Sequence, residues 1–453
     1  MNESLAEYYD LRLGLYDTCI AIIYFAFIYI IAFHVKKSKI AKNPEYKYFI
    51  LGLTMKVIGG FTFALLTVYY WKGGDTLSYY KAATDFSNVL LSNPIRGIEL
   101  LFTSIKDFDV TADHFHPYAV DFINDKDVLL LVKITSLINI IGLYSYGTTT
   151  VLFASISFIG LWYAYSNLCK IYPNYSKHLL IGFFMTPSII FWSSGVLKDT
   201  ITMSCIGWIM YSFSNVLFFK RKNLISIFLV IISSIIIFIL KPYILYILIP
   251  CMLIWTQSHL KNLIKGSFIR IVLIPLIMIL FVFGSTFIIR DISASAGKYD
   301  LNKVETTLEG FRSWHGHLAQ TQNQSGYTLS SSDFSTFGMI KMLPEVLNVT
   351  FFRPYLWEIR NMPTLIGAFE SIILLFFTLY LIITRRGSFF KLIYYNKDIR
   401  FMMIFALSFG FIVGISSYNF GALSRYKMPA QMFFILALTL IYKLTPNKRF
   451  INN

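Results

Sequence analysis

The chain has 453 residues, of which 56% are hydrophobic and 14% charged, against roughly 25% charged in an ordinary globular domain. That balance excludes a soluble fold. The formal net charge of +16 does not indicate nucleic acid, because Lys and Arg cluster in short segments between apolar runs, as the positive-inside rule describes for a membrane chain.

Apolar runs long enough to cross about 30 Å of hydrocarbon recur along the sequence, and runs such as 231 to 240 lack the alternation of apolar and polar residues of a barrel strand, which predicts helices and not a barrel. The first span is expected at 15 to 34. It lacks a preceding basic region and a small-residue cleavage site, so it reads as a retained helix and not a signal peptide. Lys36, Lys37, Lys39, Lys42 and Lys47 follow it and place the N-terminus outside. A second span is expected at 49 to 70, with Lys56 as a snorkelling side chain near its inner end.

Residues 71 to 147 form a first outer loop, in which 128 to 146 reads as an amphipathic or re-entrant element. Further spans are expected at 148 to 167, 178 to 192, 200 to 219, 224 to 240, 243 to 257, 268 to 289, 365 to 384, 400 to 417 and 428 to 443. Residues 290 to 364 form a second large outer loop. The expectation is an all-α polytopic membrane protein with about eleven spans (ten to twelve). It reads as one membrane-embedded domain, 1–453, with two large outer loops and a cytoplasmic C-terminus. Cys19, Cys169, Cys205 and Cys251 lie in or beside apolar runs without ligand spacing and read as small hydrophobes.

On this topology the charges outside the lysine clusters gather at the outer face. Asp75 follows Gly73 and Gly74, a pair that permits a tight bend. Lys198 and Asp199 occupy a short turn between apolar segments, where two charges are costly unless paired or used. Lys241 with Pro242 interrupts an apolar run, Arg353, Glu358 and Arg360 precede the span near 365, and Arg425 and Lys427 lie in the turn after 417. Basic residues beside carboxylates suit a phosphate-bearing substrate. Arginine matches phosphate oxygens with its planar fork, lysine adds a compact charge, and a carboxylate takes a proton from an acceptor hydroxyl. Asp75, Asp199 and Lys198 are the candidate catalytic residues. Arg425, Lys241, Arg353 and Arg360 are the candidate phosphate ligands, and Tyr79, Tyr80 and Trp192 are the candidate sugar contacts, with Trp314, Trp357 and Tyr418 as further aromatic choices.

His114, His116, His315 and His317 are spaced in two pairs but lack an acidic partner that fixes a metal geometry. Asp107, Asp109, Asp113 and Asp121 read as a solvated acidic loop, one member of which is able to hold a divalent cation, Mg or Mn, against a phosphate. No phosphate-binding glycine loop or nucleotide fingerprint occurs, which argues against nucleotide-driven chemistry.

The stretches Gly73-Gly-Asp-Thr-Leu-Ser-Tyr-Tyr80, Pro187-Ser-Ile-Ile-Phe-Trp-Ser-Ser-Gly-Val-Leu-Lys-Asp-Thr200 and Ser424-Arg-Tyr-Lys-Met-Pro429 resemble bacterial multispan membrane glycosyltransferases of the GT-C type and the polymerases of O-antigen and exopolysaccharide. The resemblance implies a GT-C-like fold and a polyprenyl-linked sugar or oligosaccharide as substrate. It also implies an acidic residue of the first outer loop as base or metal ligand. Asp75 is the best positional match, followed by Asp85. The sequence departs from that pattern in having no adjacent acidic pair near Asp75, and in placing the loop after the second span. Outer-face arginines of the polymerases engage the lipid diphosphate, a role for Arg425 and for Arg353 or Arg360.

The expected function is glycosyl transfer from or between polyprenyl-phosphate-linked sugars at the outer face of the bacterial cytoplasmic membrane. Membrane lipid and other polysaccharide-assembly proteins are the expected partners. The alternatives are a transporter or flippase of a lipid-linked or anionic substrate, which requires ionisable groups near the bilayer midplane, and an assembly component without catalysis.

Overall fold

The computed structural model describes residues 11, 13–104, 113, 115–123, 125–217, 224–263, 306, 308–310, 312–313, 325–331, 333 and 336–444. The expected span 268 to 289, His114, His315, His317, Trp314, Asp107 and Asp109 lie outside those residues. The secondary structure described is helical, apart from an isolated antiparallel bridge between Gly326 and Asn419.

Five helical stretches are long and apolar enough to cross a membrane: Leu15–Lys39, Pro44–Trp71, Tyr146–Ile171, Thr364–Arg385 and Lys397–Ser417. Shorter apolar helices occupy Leu224–Leu240, Pro242–Thr256 and Met428–Lys443. The chain is therefore a multi-pass membrane protein. The expected architecture of about eleven spans with a GT-C-like fold is corrected to this smaller set among the described residues. The physical reasons are local. The run expected at 178 to 192 is divided into Ser176–Leu180, a π-helical segment Ile181–Met185 and Pro187–Trp192. Lys198–Leu217 is a continuous helix, but it carries Ser, Thr and Asn along its length. The helix Leu224–Leu240 has 17 residues, about 25 Å at 1.5 Å per residue. Instead of simple spans, the helices bury ion pairs, Lys198 with Asp127 and Lys241 with Asp199, and separate aromatic clusters.

The described residues fall into two compact units. One lies within Met1–Met185, Ile189–Val216 and Arg221–Lys241, the other within Thr186–Ser188, Leu217–Lys220 and Pro242–Asn453. In the first unit the helices are α1 (Leu15–Lys39), α2 (Phe49–Leu65), α3 (Asp75–Ser92), α4 (Pro94–Phe102), α5 (Pro117–Phe122), α6 (Lys126–Ile141), α7 (Tyr146–Ile171), α8 (Ser176–Leu180), α9 (Pro187–Trp192, from Ile189 on), α10 (Lys198–Leu217) and α11 (Leu224–Leu240).

The register of α2 against its neighbours fixes what lies where along the span Pro44–Trp71. A side chain at Gly52 would meet Phe158 at 3.1 Å, and one at Gly60 would meet Ala154 at 3.4 Å and the Ser194 carbonyl oxygen at 3.1 Å. Helix α7 thus runs antiparallel to α2, and the turn after α9 lies beside the middle of that 28-residue span. Gly59 admits the backbone of Ile190, and Gly160 admits that of Ser204, approaches that a Cβ would block. The segment expected as an outer loop between Trp71 and Tyr146 contains α3 to α6, with α3 packed along α6. Ser87 donates to the Ser136 carbonyl at 3.1 Å, and the Tyr80 hydroxyl to that of Tyr144 at 2.7 Å.

The second unit contains α12 (Pro242–Leu263), α13 (Thr336–Phe352), α14 (Met362–Arg385), α15 (Gly387–Tyr395), α16 (Lys397–Ser417), α17 (Phe420–Tyr426) and α18 (Met428–Lys443). Helix α16 is central, packed by α18, α12 and α13. Phe405 and Phe433 meet edge to face at 4.8 Å, Trp255 stacks on Phe401 at 4.6 Å, and Thr350 donates to the Gly410 carbonyl at 2.9 Å. The Trp255 ring N–H also donates to Asp398 at 2.7 Å, which satisfies a buried carboxylate near the start of α16.

Candidate functional site

The turn from Ser193 to Leu197 breaks the apolar run between α9 and α10, and its side chains are buried: Ser193, Ser194 and Val196 have no accessible surface. The break is held from within. Ser194 donates to the Ile190 carbonyl at 2.6 Å, and Thr200 to that of Gly195 at 2.6 Å. Lys56, expected to snorkel, is instead fully buried in mid-span. Its ammonium donates to the Ser193 carbonyl and, at 2.6 Å, to the Ser193 hydroxyl. The reason is the break itself, which leaves a carbonyl without a helical partner within reach of that ammonium.

At the start of α10, Lys198 and Asp199 are 8% and 3% exposed, and each is bound by a residue from another element. The Lys198 ammonium lies 2.7 Å from the Asp127 carboxylate, contributed by the first turn of α6. It also sits 5.6 Å from the centroid of the Tyr79 ring of α3. Asp199 is paired with Lys241, the residue following α11. Two ion pairs with interleaved signs are thereby gathered from two helices, α10 and α6, and the end of a third, α11. Buried charges are tolerated when paired in this way. At the end of α9, before the turn, Trp192 stacks on Trp71 at 6.0 Å and meets Phe63 at 5.9 Å.

The structure thus brings Lys198 together with Tyr79, and Asp199 with Lys241. Asp75 is exposed at the first position of α3. Tyr80 is buried, its ring against Tyr146 at 5.0 Å and its hydroxyl committed to Tyr144. Asp85 is partly buried and accepts the His116 backbone N–H at 3.0 Å; burial raises its pKa, and that N–H acts against the rise. Asp113 is 5% exposed and clasped by both arms of Arg96 at 2.9 Å. This corrects its reading as part of a solvated loop.

A second polar cluster lies in the other unit. Glu370 of α14 accepts the Ser188 N–H and hydroxyl, each at 2.9 Å, and the Gln431 side-chain amide. Lys427 is 2% exposed and donates to the Thr350 carbonyl at 2.8 Å; burial pushes its pKa down to about 8, with the Glu370 charge acting in the opposite direction. Arg353 is paired with Glu358, with the guanidinium 5.4 Å from the Phe420 ring centroid. Arg425 lies 5.7 Å from the ring of Tyr426, and Arg360 is exposed. Among the described residues no group of three or more His, Cys, Asp or Glu gathers as a metal site.

Sequence reasoning passed over Asp127, Glu370 and Gln431, and read Lys56 as a snorkelling side chain. Two had a legible signal. Lys56 is the charged residue in the run 49 to 71, and Glu370 is the acid in the run 362 to 384. An ionisable group inside a span marks a site unless proven structural. Asp127 carried no such mark, because it stands in the polar sequence Asp125-Lys-Asp127 at a helix start.

Helices that cross a membrane and enclose buried, alternating charge define the class: a multi-pass, all-helical membrane protein among its described residues, with an ionic site built at a helix break. Comparison of the chain with protein-family models, curated proteins and solved structures finds no match.

Proposed function

We propose that the chain transfers a glycosyl group from, or between, polyprenyl-phosphate-linked sugars at the outer face of a bacterial cytoplasmic membrane, in the assembly of a cell-surface polysaccharide. The observation that supports this is the interleaved pair of ion pairs, Lys198 with Asp127 and Lys241 with Asp199, at the break before α10. A phosphate entering there exchanges one anionic partner of lysine for another, so the cations need not be stranded in a low-dielectric setting. To reach the turn, which lies beside the middle of the span Pro44–Trp71, the head group enters from the outer face while the prenyl chain remains in hydrocarbon.

In the proposed reaction the acceptor hydroxyl oxygen forms a bond to the anomeric carbon. The bond from that carbon to the phosphate oxygen breaks, and its electron pair leaves with the phosphate. Asp199 accepts the hydroxyl proton, and Lys198 and Lys241 stabilise charge on the departing phosphate. Tyr79 and Trp192, with Trp71 beside it, supply ring faces for the sugar.

The test is reconstitution in vesicles with a radiolabelled polyprenyl-phosphate sugar and a lipid-linked acceptor. Extension by the parent protein and its loss in folded Asp199→Asn and Lys198→Met proteins are expected. Undiminished extension in both variants, or none by the parent with a panel of such donors, would overturn the proposal.

Lys56 favours a second reading. Transport needs an ionisable group deep in a span, and Lys56 meets that condition beside a broken helix, the arrangement from which many transporters build substrate sites. Movement of a lipid-linked sugar across vesicles without formation of a glycosidic bond would select that reading over transfer.

A further inference from the structure

We propose that α4 is a membrane-seated keel whose apolar edge is covered by the acyl chains of the lipid bilayer. The helix lies outside the candidate spans, within a segment whose sequence reads as a polar outer loop. Yet Ile95, Ile98 and Phe102 are 84%, 55% and 87% exposed, and Leu91 in the last turn of α3 is 56% exposed. The spacing of 95, 98 and 102 follows one side of α4. Three large apolar side chains on one exposed helix face, with exposed Leu91 at the end of the preceding helix, require a nonaqueous cover.

The opposite side of α4 is used internally. Gly97 lets the helix close onto α3, where a Cβ would come within 2.6 Å of the Leu90 Cα. Leu100 has no accessible surface. The polar groups are drawn away from the row: Arg96 is held by Asp113 at 2.9 Å and by Glu99 at 3.1 Å, and Asn93 caps the Arg96 N–H. At the far end Lys133 of α6 donates to the Thr103 carbonyl at 2.7 Å, which fixes the helix terminus. The result is a rigid helix with a dry edge and a polar edge, the form that lies in a membrane interface.

Lipid is the occupant because the surrounding surface is already lipid-facing. Helix α3, on which α4 closes, packs along α6, and α6 packs against α11. The apolar helix α11 exposes Phe228 at 63%, Ile231 at 54% and Ile235 at 49%. Exposed Tyr69 and Tyr70, at 55% and 52%, close the preceding span in the manner of an interfacial aromatic belt. The keel adds a further exposed apolar edge to the same unit, whose long apolar helices already require lipid.

The test places single cysteines at Ile95, Ile98 and Phe102 of the full chain carrying Cys19→Ser, with Ser92→Cys as an exposed reference, since Cys19 is exposed and the other native cysteines are buried. Each is labelled with a nitroxide in phosphatidylcholine–phosphatidylglycerol vesicles. Relaxation by oxygen, which concentrates in the acyl layer, is compared with relaxation by a water-soluble nickel chelate. Stronger relaxation by oxygen than by the chelate at all three positions is expected, with the reverse at Ser92. Preference for the chelate at the three positions would overturn the proposal by placing α4 in water. Protection from both reagents would overturn it by assigning the edge to a second copy or another protein.

Discussion

Removing one partner of the Lys198–Asp127 pair is expected to destabilise the protein far more than removing both. The nitrogen–oxygen distance is 2.7 Å, and the side chains are only 10% and 7% exposed, so solvent screens the pair little. Breaking a buried pair from one side typically costs about 3–5 kcal/mol, because the remaining charge is left in a low-dielectric setting, while replacing both partners by apolar groups of similar volume is often near neutral. Lys198→Met and Asp127→Leu should therefore each lower stability by roughly 3 kcal/mol or more, and the double variant by much less than the sum. The assay is reversible unfolding in mixed micelles, followed by the near-ultraviolet signal, on the parent, both singles and the double. Additivity within about 0.5 kcal/mol would refute the pairing. The same double variant separates structure from chemistry. If Lys198 stabilises the departing phosphate, a protein restored in stability still fails to extend glycan. Recovered extension would reduce the pair to a structural fastening.

Gly59→Ala places a Cβ against the Ile190 backbone and should destabilise by about 1–3 kcal/mol, the range for overpacking. Gly52→Ala, which meets only the Phe158 and Phe184 rings at 3.1 and 3.4 Å, should cost less; thermal unfolding of the two variants checks the order. Lys56→Met should leave stability within about 1–2 kcal/mol of the parent, since removing a buried ammonium offsets the two hydrogen bonds lost. Loss of glycan extension or of lipid-linked flux in that stable variant would assign Lys56 a working role. Lys427 has a native pKa lowered to about 8 from 10.5, so between those values the unfolded chain holds more protons than the native one. Stability contributed through this group is therefore lowest below pH 8 and rises with pH towards 10.5, by roughly 3 kcal/mol in total. Equilibrium unfolding across pH 7 to 10.5 should show that rise in the parent and a flatter profile in Lys427→Met.

What the sequence could convey was set by how each element is determined. A run such as 15 to 39 becomes a helix because nothing in it breaks the pattern, and its exposed flank needs no tertiary partner beyond lipid. The run 178 to 192 looks alike in composition, but whether it crosses depends on where its backbone bends. A π-helical segment and Pro187 turn it into a piece that ends beside the middle of another span. Charge shows the same division. Lys198 and Asp199 were legible as a costly pair of neighbours, yet the natural inference that they neutralise one another is not what the fold uses. Each reaches a different helix, Lys198 to Asp127 and Asp199 to Lys241. Consecutive residues at a helix start point in different directions, so adjacent opposite charges can serve as two separate anchors. That geometry turns a two-residue signal into a four-charge site. It also accounts for why Asp127, which completes the site, could not be singled out from a polar stretch 71 positions upstream of its partner.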